Sequence, residues 1–169
     1  IDNRVIVAET VKTVPRVGMM FEVPKSFSTV QWFGLSGETY MDRKPSGRYG
    51  TYKSTISDLS YIYEKPQESG NHTDTRWMCL ENDNVGLFFD ALDSTFDFSV
   101  QNHNKGNNNW QVHFDYRNSA VGNGKVMPAD STMVLDGRRY GFKVRFLAYE
   151  NTNHSPFDFR MIKLPTVES

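Results

Sequence analysis

The sequence predicts an all-β protein built from two packed antiparallel sheets. Three observations support this class: apolar and polar residues alternate along several segments, Gly, Pro, Asn and Asp separate those segments, and helical periodicity is scarce. Alternation with a period of two places one face of a strand in a core and the other face in solvent. About nine or ten such strands at the spacing of a β-sandwich favour a single sandwich domain over residues 1–169.

The clearest strand runs from Trp110 to Tyr116, where Val112 and Phe114 share one face and polar residues occupy the other. The other predicted strands are Tyr140–Ala148, Phe96–Val100, Phe157–Met161, Val5–Val7, Val17–Val23, Val30–Leu35, Asp74–Leu80 and Val85–Phe89. They are rich in β-branched and aromatic residues, which suit a pleated and half-buried surface. We expect helix only as single turns, at Ala8–Val14 before Pro15 and at Ala91–Thr95.

Length and charge exclude several classes of protein. A chain of 169 residues can bury one sizeable core and is short for two domains. Its net charge of −1 argues against a dedicated nucleic-acid binder, and no apolar run approaches the about 18 residues of a membrane span. We therefore expect neither nucleic acid nor a membrane as a partner. Because the chain begins Ile1-Asp2-Asn3, without a Met, we expect it to be part of a longer polypeptide.

The sequence offers little catalytic chemistry of its own. The histidines show no convincing metal-ligand spacing, so we expect ordinary surface histidines rather than a zinc site; they are His72, His103, His113 and His154. The only cysteine, Cys79, lies in the apolar stretch Trp77–Leu80 and is expected to behave as a small buried hydrophobe. Most aspartates lie in predicted turns, which disfavours a catalytic pair of carboxylates. We therefore predict no catalytic residue and no metal site in this chain.

Three segments combine polar, aromatic and glycine residues. They are Trp32–Lys44, Tyr61–Trp77 and Phe114–Pro128, and the notable polar residues of the first two are Glu38, Asp42, Arg43, Glu68, Asn71, Asp74 and Arg76. One interpretation is a set of loops joined by Arg–carboxylate pairs. The other is a sugar-binding surface, because aromatic rings stack on sugar C–H groups while Asn, Asp and Arg bind hydroxyls. The residues by themselves leave both interpretations open.

Four motifs along the chain resemble those of one family. They are Pro15–Gly18, Glu38–Lys44, Tyr63–Trp77 and Phe114–Gly122, in this order and at similar spacing. The family they resemble is the C-terminal, small-chain-like domain of glycoside hydrolase family 2 β-galactosidases of the lactose-operon type. The Tyr63–Trp77 motif, YEKPQESGNHTDTRW, is long and specific, and the resemblance extends from about residue 14 to about residue 148.

The resemblance implies an antiparallel β-supersandwich similar in fold to galactose mutarotase, of which this chain covers the second half to two-thirds. Residues 1–169 are then the C-terminal fragment of a longer multidomain glycoside hydrolase. The parent is implied to be a retaining β-galactosidase with both catalytic glutamates on a separate barrel, working in the bacterial cytoplasm or periplasm. Its implied ions are Mg²⁺ and Na⁺, with no cofactor in this chain, and the implied partners are the other domains and a β-galactoside sugar.

The resemblance also implies roles for named residues. A loop forms one wall of the sugar pocket, and it comprises Gly122, Asn123, Gly124, Lys125, Val126 and Met127. Motif residues hold loops or interdomain contacts, and these are Glu38, Tyr40, Asp42, Arg43, Glu68, Asn71, Asp74, Arg76 and Trp77. The chain departs from the family pattern. The position of a sugar-stacking Trp in some members falls here on Val126 or Met127, and Thr39 and Ser69 each replace an Asn.

Two other functions stay open. A stand-alone carbohydrate-binding module would use exposed aromatic rings such as Trp32 or Trp110. A mutarotase-like sugar epimerase would need a histidine and a carboxylate in one pocket, which only His72 with Asp74 and Glu68 could supply. Because the implied domain is longer than this chain, we also expect an unpaired sheet edge or exposed apolar face, and hence a homo-oligomer.

Overall fold

Ten strands and two short helices form in the computed structural model, which describes residues 1–41, 44, 47–59, 63–64, 69–92, 94–102, 108–119 and 135–160. The strands are β1 (Asp2–Ile6), β2 (Arg16–Pro24), β3 (Thr29–Leu35), β4 (Tyr49–Thr55), β5 (His72–Thr75), β6 (Trp77–Glu81), β7 (Val85–Ala91), β8 (Phe96–Gln101), β9 (Asn109–Asn118) and β10 (Arg139–Glu150). The helices are α1 (Ile56–Leu59) and α2 (Pro156–Phe159), and neither is long and apolar enough to cross a membrane.

The strands form two antiparallel sheets, which confirms the predicted all-β sandwich class. One sheet has six strands in the order β1-β10-β7-β6-β3-β4, and the other has four in the order β2-β9-β8-β5. The predicted strands at Trp110–Tyr116, Tyr140–Ala148 and Phe96–Val100 correspond to β9, β10 and β8. Alternation therefore located the strands correctly where one face is buried and the other is polar.

The main core lies between the two sheets. The four-stranded sheet contributes Phe98, Val112 and Phe114, and the six-stranded sheet contributes Met78 and Leu80, all fully or almost fully buried. Burying one such side chain contributes about 1.5–3 kcal/mol relative to leaving it exposed. This alternating set of apolar residues accounts for the register of both sheets, because a slip of one residue would turn it outward.

The outer face of the six-stranded sheet carries a second, smaller core. It contains Trp77, Cys79, Phe88 and Tyr149, and the aromatic ring of Phe159 packs against it. Strand β6 is therefore buried on both faces, which explains its unbroken apolar run. The expectation that Cys79 is a buried hydrophobe is confirmed, and burial raises the pKa of its thiol to about 12.

The predicted strand at Phe157–Met161 is wrong, because this stretch begins with helix α2; Met161 itself lies outside the described residues. Pro156 occupies the first helical turn, and the carboxylate of Asp158 accepts the backbone N–H of Ser155 at 2.8 Å. The ring of Phe157 packs edge-on against Trp77, with 5.6 Å between centroids. The rings of Phe157 and Phe159 pack on the second core, so their alternation in the sequence does not reflect a strand.

Three further elements differ from the sequence-based prediction. Strand β4 is not predicted, because its segment YGTYKST is mostly polar, as suits an edge strand that pairs only with β3 among the described strands. In place of the helical turn expected at Ala8–Val14, there is a hydrogen-bonded turn in which the N–H of Val11 donates to the carbonyl oxygen of Ala8 at 3.0 Å, and Val14 makes an isolated bridge with Leu135. At Ala91–Thr95, where residue 93 is outside the described part, Ala91 ends β7 and the described residues form no helix.

The sandwich is open along the side formed by β1 and β2. Between the sheets lies an apolar cleft of about 300 Å³, lined by residues that include Met19, Phe21, Phe89 and Phe146. Phe146 is 50% exposed. The β10 segment 145–150 pairs with β7 on one side, and no described strand pairs with its other side. The chain thus exposes the apolar face and unpaired backbone that the sequence led us to expect.

We predict that the 169-residue chain self-associates through this open side. Unpaired strand edges and exposed apolar patches favour pairing with a second copy. Replacing Phe146→Lys should lower the apparent mass at high protein concentration, measured by sedimentation velocity and light scattering. Tyr49→Lys, a 56% exposed aromatic at the other edge of the same sheet, is the matched control. A clean wild-type monomer at every concentration would contradict the prediction.

A close approach of β2 to β9 gives a second prediction. The register of the pair shifts between Val17 and Gly18, and a Cβ on Gly18 would lie 2.4 Å from the carbonyl oxygen of Phe114. Gly18→Ala should therefore force two backbones apart and lower the free energy of unfolding by about 1–3 kcal/mol. Gly141→Ala is the control, because its Cβ would meet only Asn3 O, at 3.9 Å. Equal urea-denaturation midpoints for the two variants would refute this explanation.

Candidate functional site

Reciprocal hydrogen bonds join the two polar motif segments. The backbone N–H of Thr39 donates to the carbonyl oxygen of Asn71 at 2.7 Å, and the side-chain amide of Asn71 donates to the carbonyl oxygen of Thr39 at 2.9 Å. The Thr39 hydroxyl oxygen also accepts the backbone N–H of Thr73 at 3.0 Å. All three residues are buried. Buried polar groups are stable only when paired, so these bonds fix the loop after β3 against β5.

Glu38 fastens the same loop from the solvent side. Its carboxylate accepts the backbone N–H of Gly70 at 2.8 Å and the hydroxyl of Tyr63 at 3.0 Å. Gly70 has φ 74°, a conformation that favours glycine. Tyr40, which follows Glu38 in the same predicted motif, is buried. The structure therefore places Glu38 and Asn71 on the same pair of segments, with Glu38 bound to Gly70 and Asn71 bound to Thr39.

Asn71 extends this contact to the end of the small sheet. Its side-chain amide lies 3.4 Å from the carboxylate of Asp97, and its amide oxygen accepts from Asn118 at 3.4 Å. Asn118 is the last residue of β9, and the next residue, Ser119, donates its backbone N–H and hydroxyl to the carbonyl oxygen of Pro15. We call Thr39, Asn71, Asp97 and Asn118 the amide hub.

A second acidic side chain lies beside the hub. Asp97 in β8 and Asp115 in β9 are directly paired in the register of two antiparallel strands. Asp115 is only 1% exposed, and its carboxylate lies 3.6 Å from Nε of Arg16. Burial, with a smaller contribution from Asp115, raises the pKa of Asp97 to about 7. Both aspartates lie in predicted strands, but sequence reasoning did not single out either as a site residue.

Asp74 has a different partner. Its carboxylate binds Nζ of Lys44 at 2.9 Å, so a lysine, rather than an arginine, supplies this ion pair. Asp74 has φ 54°, the left-handed region, next to an irregular pairing of β5 with β8. Burial, followed by the nearby Asp74 carboxylate, raises the pKa of Tyr49. This pair joins two motif segments, and Asp74 is the third residue of β5.

Arg76 and Trp77 lie away from the hub. Arg76 is exposed and its backbone N–H donates to Phe33 at 2.8 Å, whereas Trp77 belongs to the outer core of the six-stranded sheet. Both line a cavity of about 400 Å³ that also contains the Arg145–Asp90 ion pair. The remaining predicted site residues lie outside the described part of the chain: Asp42, Arg43, Glu68, Gly122, Asn123, Gly124, Lys125, Val126 and Met127.

The expectation of a surface histidine is wrong for His72, which is 2% exposed. Its ring stacks on Phe98 and meets the edge of Trp32, with centroids 4.7 and 4.8 Å away. Nδ1 lies 3.0 Å from the carbonyl oxygen of Gly70, and burial lowers the pKa of the imidazole to about 4. His72 is therefore neutral at neutral pH. Asp74, the carboxylate expected beside it, binds Lys44 instead.

A stand-alone carbohydrate-binding module would need an exposed ring at Trp32 or Trp110. Trp32 is buried, and its indole N–H donates to the carbonyl oxygen of Leu35 at 3.0 Å. Trp110 is half-buried, donates to the carbonyl oxygen of Phe27 at 2.8 Å, and lies under Nζ of Lys25. Neither presents a fully exposed ring, because their N–H groups need partners inside the fold.

No group of three or more His, Cys, Asp or Glu side chains that could hold a metal ion occurs in the part of the chain that the structure describes. Residues 42–43, 45–46, 60–62, 65–68, 93, 103–107, 120–134 and 161–169 are not included in this statement.

The raised pKa of Asp97 gives a prediction about stability and pH. At pH values between 3.8, the ordinary pKa of this group, and about 7, the folded chain keeps a proton on Asp97 that the unfolded chain has lost. The contribution of Asp97 to the free energy of unfolding therefore falls as the pH rises through this range. In urea-denaturation experiments, the free energy of unfolding of Asp97→Asn should fall less between pH 4 and 7 than that of the wild type. The amide oxygen of the variant can still accept from Asn71.

The His72 imidazole titrates in both proteins, so its contribution cancels in the difference between them. An NMR titration of the Asp97 carboxyl carbon gives an independent measure of its pKa. Identical pH slopes for wild type and variant, or an Asp97 pKa near 4, would disprove the assignment.

Comparison with known proteins agrees with the motif resemblance. Residues 1–146 match the family model described as Beta galactosidase small chain. The β-galactosidase of Kluyveromyces lactis is 36% identical over 88 residues, which are 51% of this chain and 8% of that protein. The β-galactosidase of Priestia megaterium is 33% identical over 84 residues, which are 49% of this chain and 8% of that protein.

A longer match is found with the β-galactosidase of Actinobacillus pleuropneumoniae, which is 26% identical over 156 residues, or 82% of this chain and 15% of that protein. The chain thus spans 15% or less of the length of these three relatives. The family match covers most of the chain, including β1 to β9 and the amide hub. The chain belongs to the β-galactosidase small-chain family.

Proposed function

We propose that this chain is a non-catalytic C-terminal domain of a β-galactosidase of glycoside hydrolase family 2, in a supersandwich fold like that of galactose mutarotase. The proposal is supported by the family match, by the small share of each relative that the chain spans, and by the state of its carboxylates. Glu38 binds two groups of its own chain, and Asp115 is buried beside Arg16. Retaining hydrolysis needs two carboxyl groups about 5 Å apart that the substrate can reach.

The domain would act by completing one wall of the sugar pocket with Gly122–Met127. The observation that carries this proposal is the anchored end of β9, directly before that segment in the sequence. Asn118 contacts Asn71, and Ser119 makes two hydrogen bonds to Pro15, so the preceding chain is held from two sides. A rigid base of this kind limits the positions available to the residues that follow it.

In this proposal the other domains of the polypeptide perform the chemistry. Two glutamates on the catalytic barrel would act as acid/base and nucleophile, and this domain would pack beside them. The Mg²⁺ and Na⁺ implied for the parent enzyme would be held by those domains. Val126 or Met127, at the position where some relatives carry a stacking Trp, would contact a β-galactoside through apolar side chains.

The proposal predicts that this chain has no hydrolytic activity alone but influences the activity of the complete polypeptide. The 169-residue chain alone should not hydrolyse nitrophenyl-β-galactoside, because it lacks the two barrel glutamates. In the polypeptide that carries this chain, the double change Val126→Gly and Met127→Gly should lower kcat/KM for lactose by about tenfold, since apolar contacts of this size discriminate by that order. Asp83→Asn, in an exposed turn between β6 and β7, is the matched control.

Turnover by the isolated chain would overturn the non-catalytic assignment, since the nucleophile would then have to lie in this chain. Unchanged kinetics of the double variant would overturn the pocket-wall role while leaving the non-catalytic assignment in place. Steady-state kinetics with lactose and with nitrophenyl-β-galactoside measure both quantities.

A further inference from the structure

A second cleft lies on the side of the sandwich opposite the apolar one. It opens between the sheets at the strands β4 and β5, and its volume is about 740 Å³. Its lining includes Trp32, Glu38, Tyr52, Asp58, Tyr63 and His72. This volume falls in the range of ordinary small-molecule sites. The described lining residues of the cleft lie between Trp32 and His72 in the sequence.

Two carboxylates are already oriented at the cleft. Glu38 is held by Gly70 N–H and the Tyr63 hydroxyl, and Asp58 accepts the Thr55 hydroxyl at 2.6 Å. Each retains further acceptor capacity, because an ionised carboxylate can accept about four hydrogen bonds. Among the described lining residues Lys53 is the cation, and its Nζ lies 3.8 Å from Glu81. The lining is therefore rich in acceptors and disfavours an anionic ligand.

His72 is the buried polar group of this cleft. Its Nδ1 faces the carbonyl oxygen of Gly70, so Nδ1 carries the proton and Nε2 presents a lone pair. Stacking on Phe98 and edge contact with Trp32 fix the plane of the ring. A hydroxyl group in the cleft would donate to this lone pair.

Aromatic side chains complete the lining. Tyr52 and Tyr63 are both half-buried, and the hydroxyls of both are already bonded, to Arg48 O and to Glu38. The polar tips of the two side chains are thus satisfied within the chain, while parts of their rings stay accessible at the cleft. Apolar ring faces of this kind accept the C–H surface of a sugar.

We propose that this cleft binds a neutral, hydroxyl-rich ligand, a mono- or disaccharide, whose hydroxyls donate to His72 Nε2 and to the carboxylates of Glu38 and Asp58. The inference goes beyond the proposed function, because it concerns a different ligand site, whose described lining residues lie between Trp32 and His72 in the sequence, and because it needs no catalytic barrel. The sugar serves as a donor to preformed acceptors, and its C–H face lies against Tyr52 or Tyr63. The ligand class follows from this balance of acceptors over donors.

The test is an NMR titration of the isotopically labelled 169-residue chain with galactose and with lactose, up to about 50 mM, the range needed for millimolar binding. We expect chemical-shift changes at the Trp32 indole, the His72 imidazole and the backbone around Glu38. Galactose 6-phosphate should bind at least about tenfold more weakly, because the cleft already carries more negative than positive charge. No change with any of the sugars, or a preference for the phosphate, overturns the proposal.

Two variants locate the site. His72→Phe keeps an aromatic ring against Phe98 but removes the Nε2 acceptor, and it should weaken binding at least about tenfold. Its control is His154→Phe, at a histidine outside the cleft. Asp58→Asn changes an exposed lining residue and should weaken binding several-fold. It tests the site even if His72→Phe does not fold.

The outcomes are distinct from those of the pocket-wall proposal. Binding that both variants leave unchanged, or shifts confined to residues 118–127, would overturn the cleft as a sugar site. The second of these results would support the pocket wall. Loss of binding in the cleft variants with normal kinetics of the complete enzyme would support the cleft alone.

Discussion

The reciprocal hydrogen bonds between Thr39 and Asn71 are the contact on which the arrangement of the polar segments depends. They join residues 32 positions apart, and both partners are buried, so breaking either bond would leave an unpaired polar group in the interior. Gly70 and His72 flank Asn71 on either side, which means that the Glu38 clamp and the orientation of the imidazole follow from the same contact. Through Asn118 it also reaches the end of β9.

Two of the buried titratable groups in and beside the amide hub are neutral. Burial raises the pKa of Asp97 to about 7 and lowers the pKa of His72 to about 4, so both are uncharged over most of the pH range between these values. Asp115 remains paired with Arg16. A neutral carboxyl and a neutral imidazole cost less to bury than their charged forms, since only their hydrogen bonds must be satisfied.

The two open sides of the sandwich have opposite chemical character. Where β1 and β2 meet, the gap between the sheets is lined by Phe21, Phe89 and Phe146, and its natural occupant is another apolar or strand-forming surface. Where β4 and β5 meet, Glu38 and His72 line a polar cleft. One sandwich can therefore associate with protein on one side and expose hydrogen-bond acceptors on the other.

The sequence by itself determined the fold class and most strands, because alternation along β8, β9 and β10 reflects which side chains face the core. It missed β4, whose mostly polar segment carries little of that signal, and it misassigned α2, where Phe157 and Phe159 alternate by chance with strand spacing. The motifs also identified the family.

Only the tertiary structure decided which polar groups meet. Asp97 and Asp115 are far from Asn71 in sequence, and nothing in their local pattern distinguishes them from surface aspartates. The burial of His72 depends on Phe98 and Trp32, which come from different strands and sheets. Local sequence determines the period of a strand, whereas long-range packing determines what each side chain faces, and therefore its charge state and its partners.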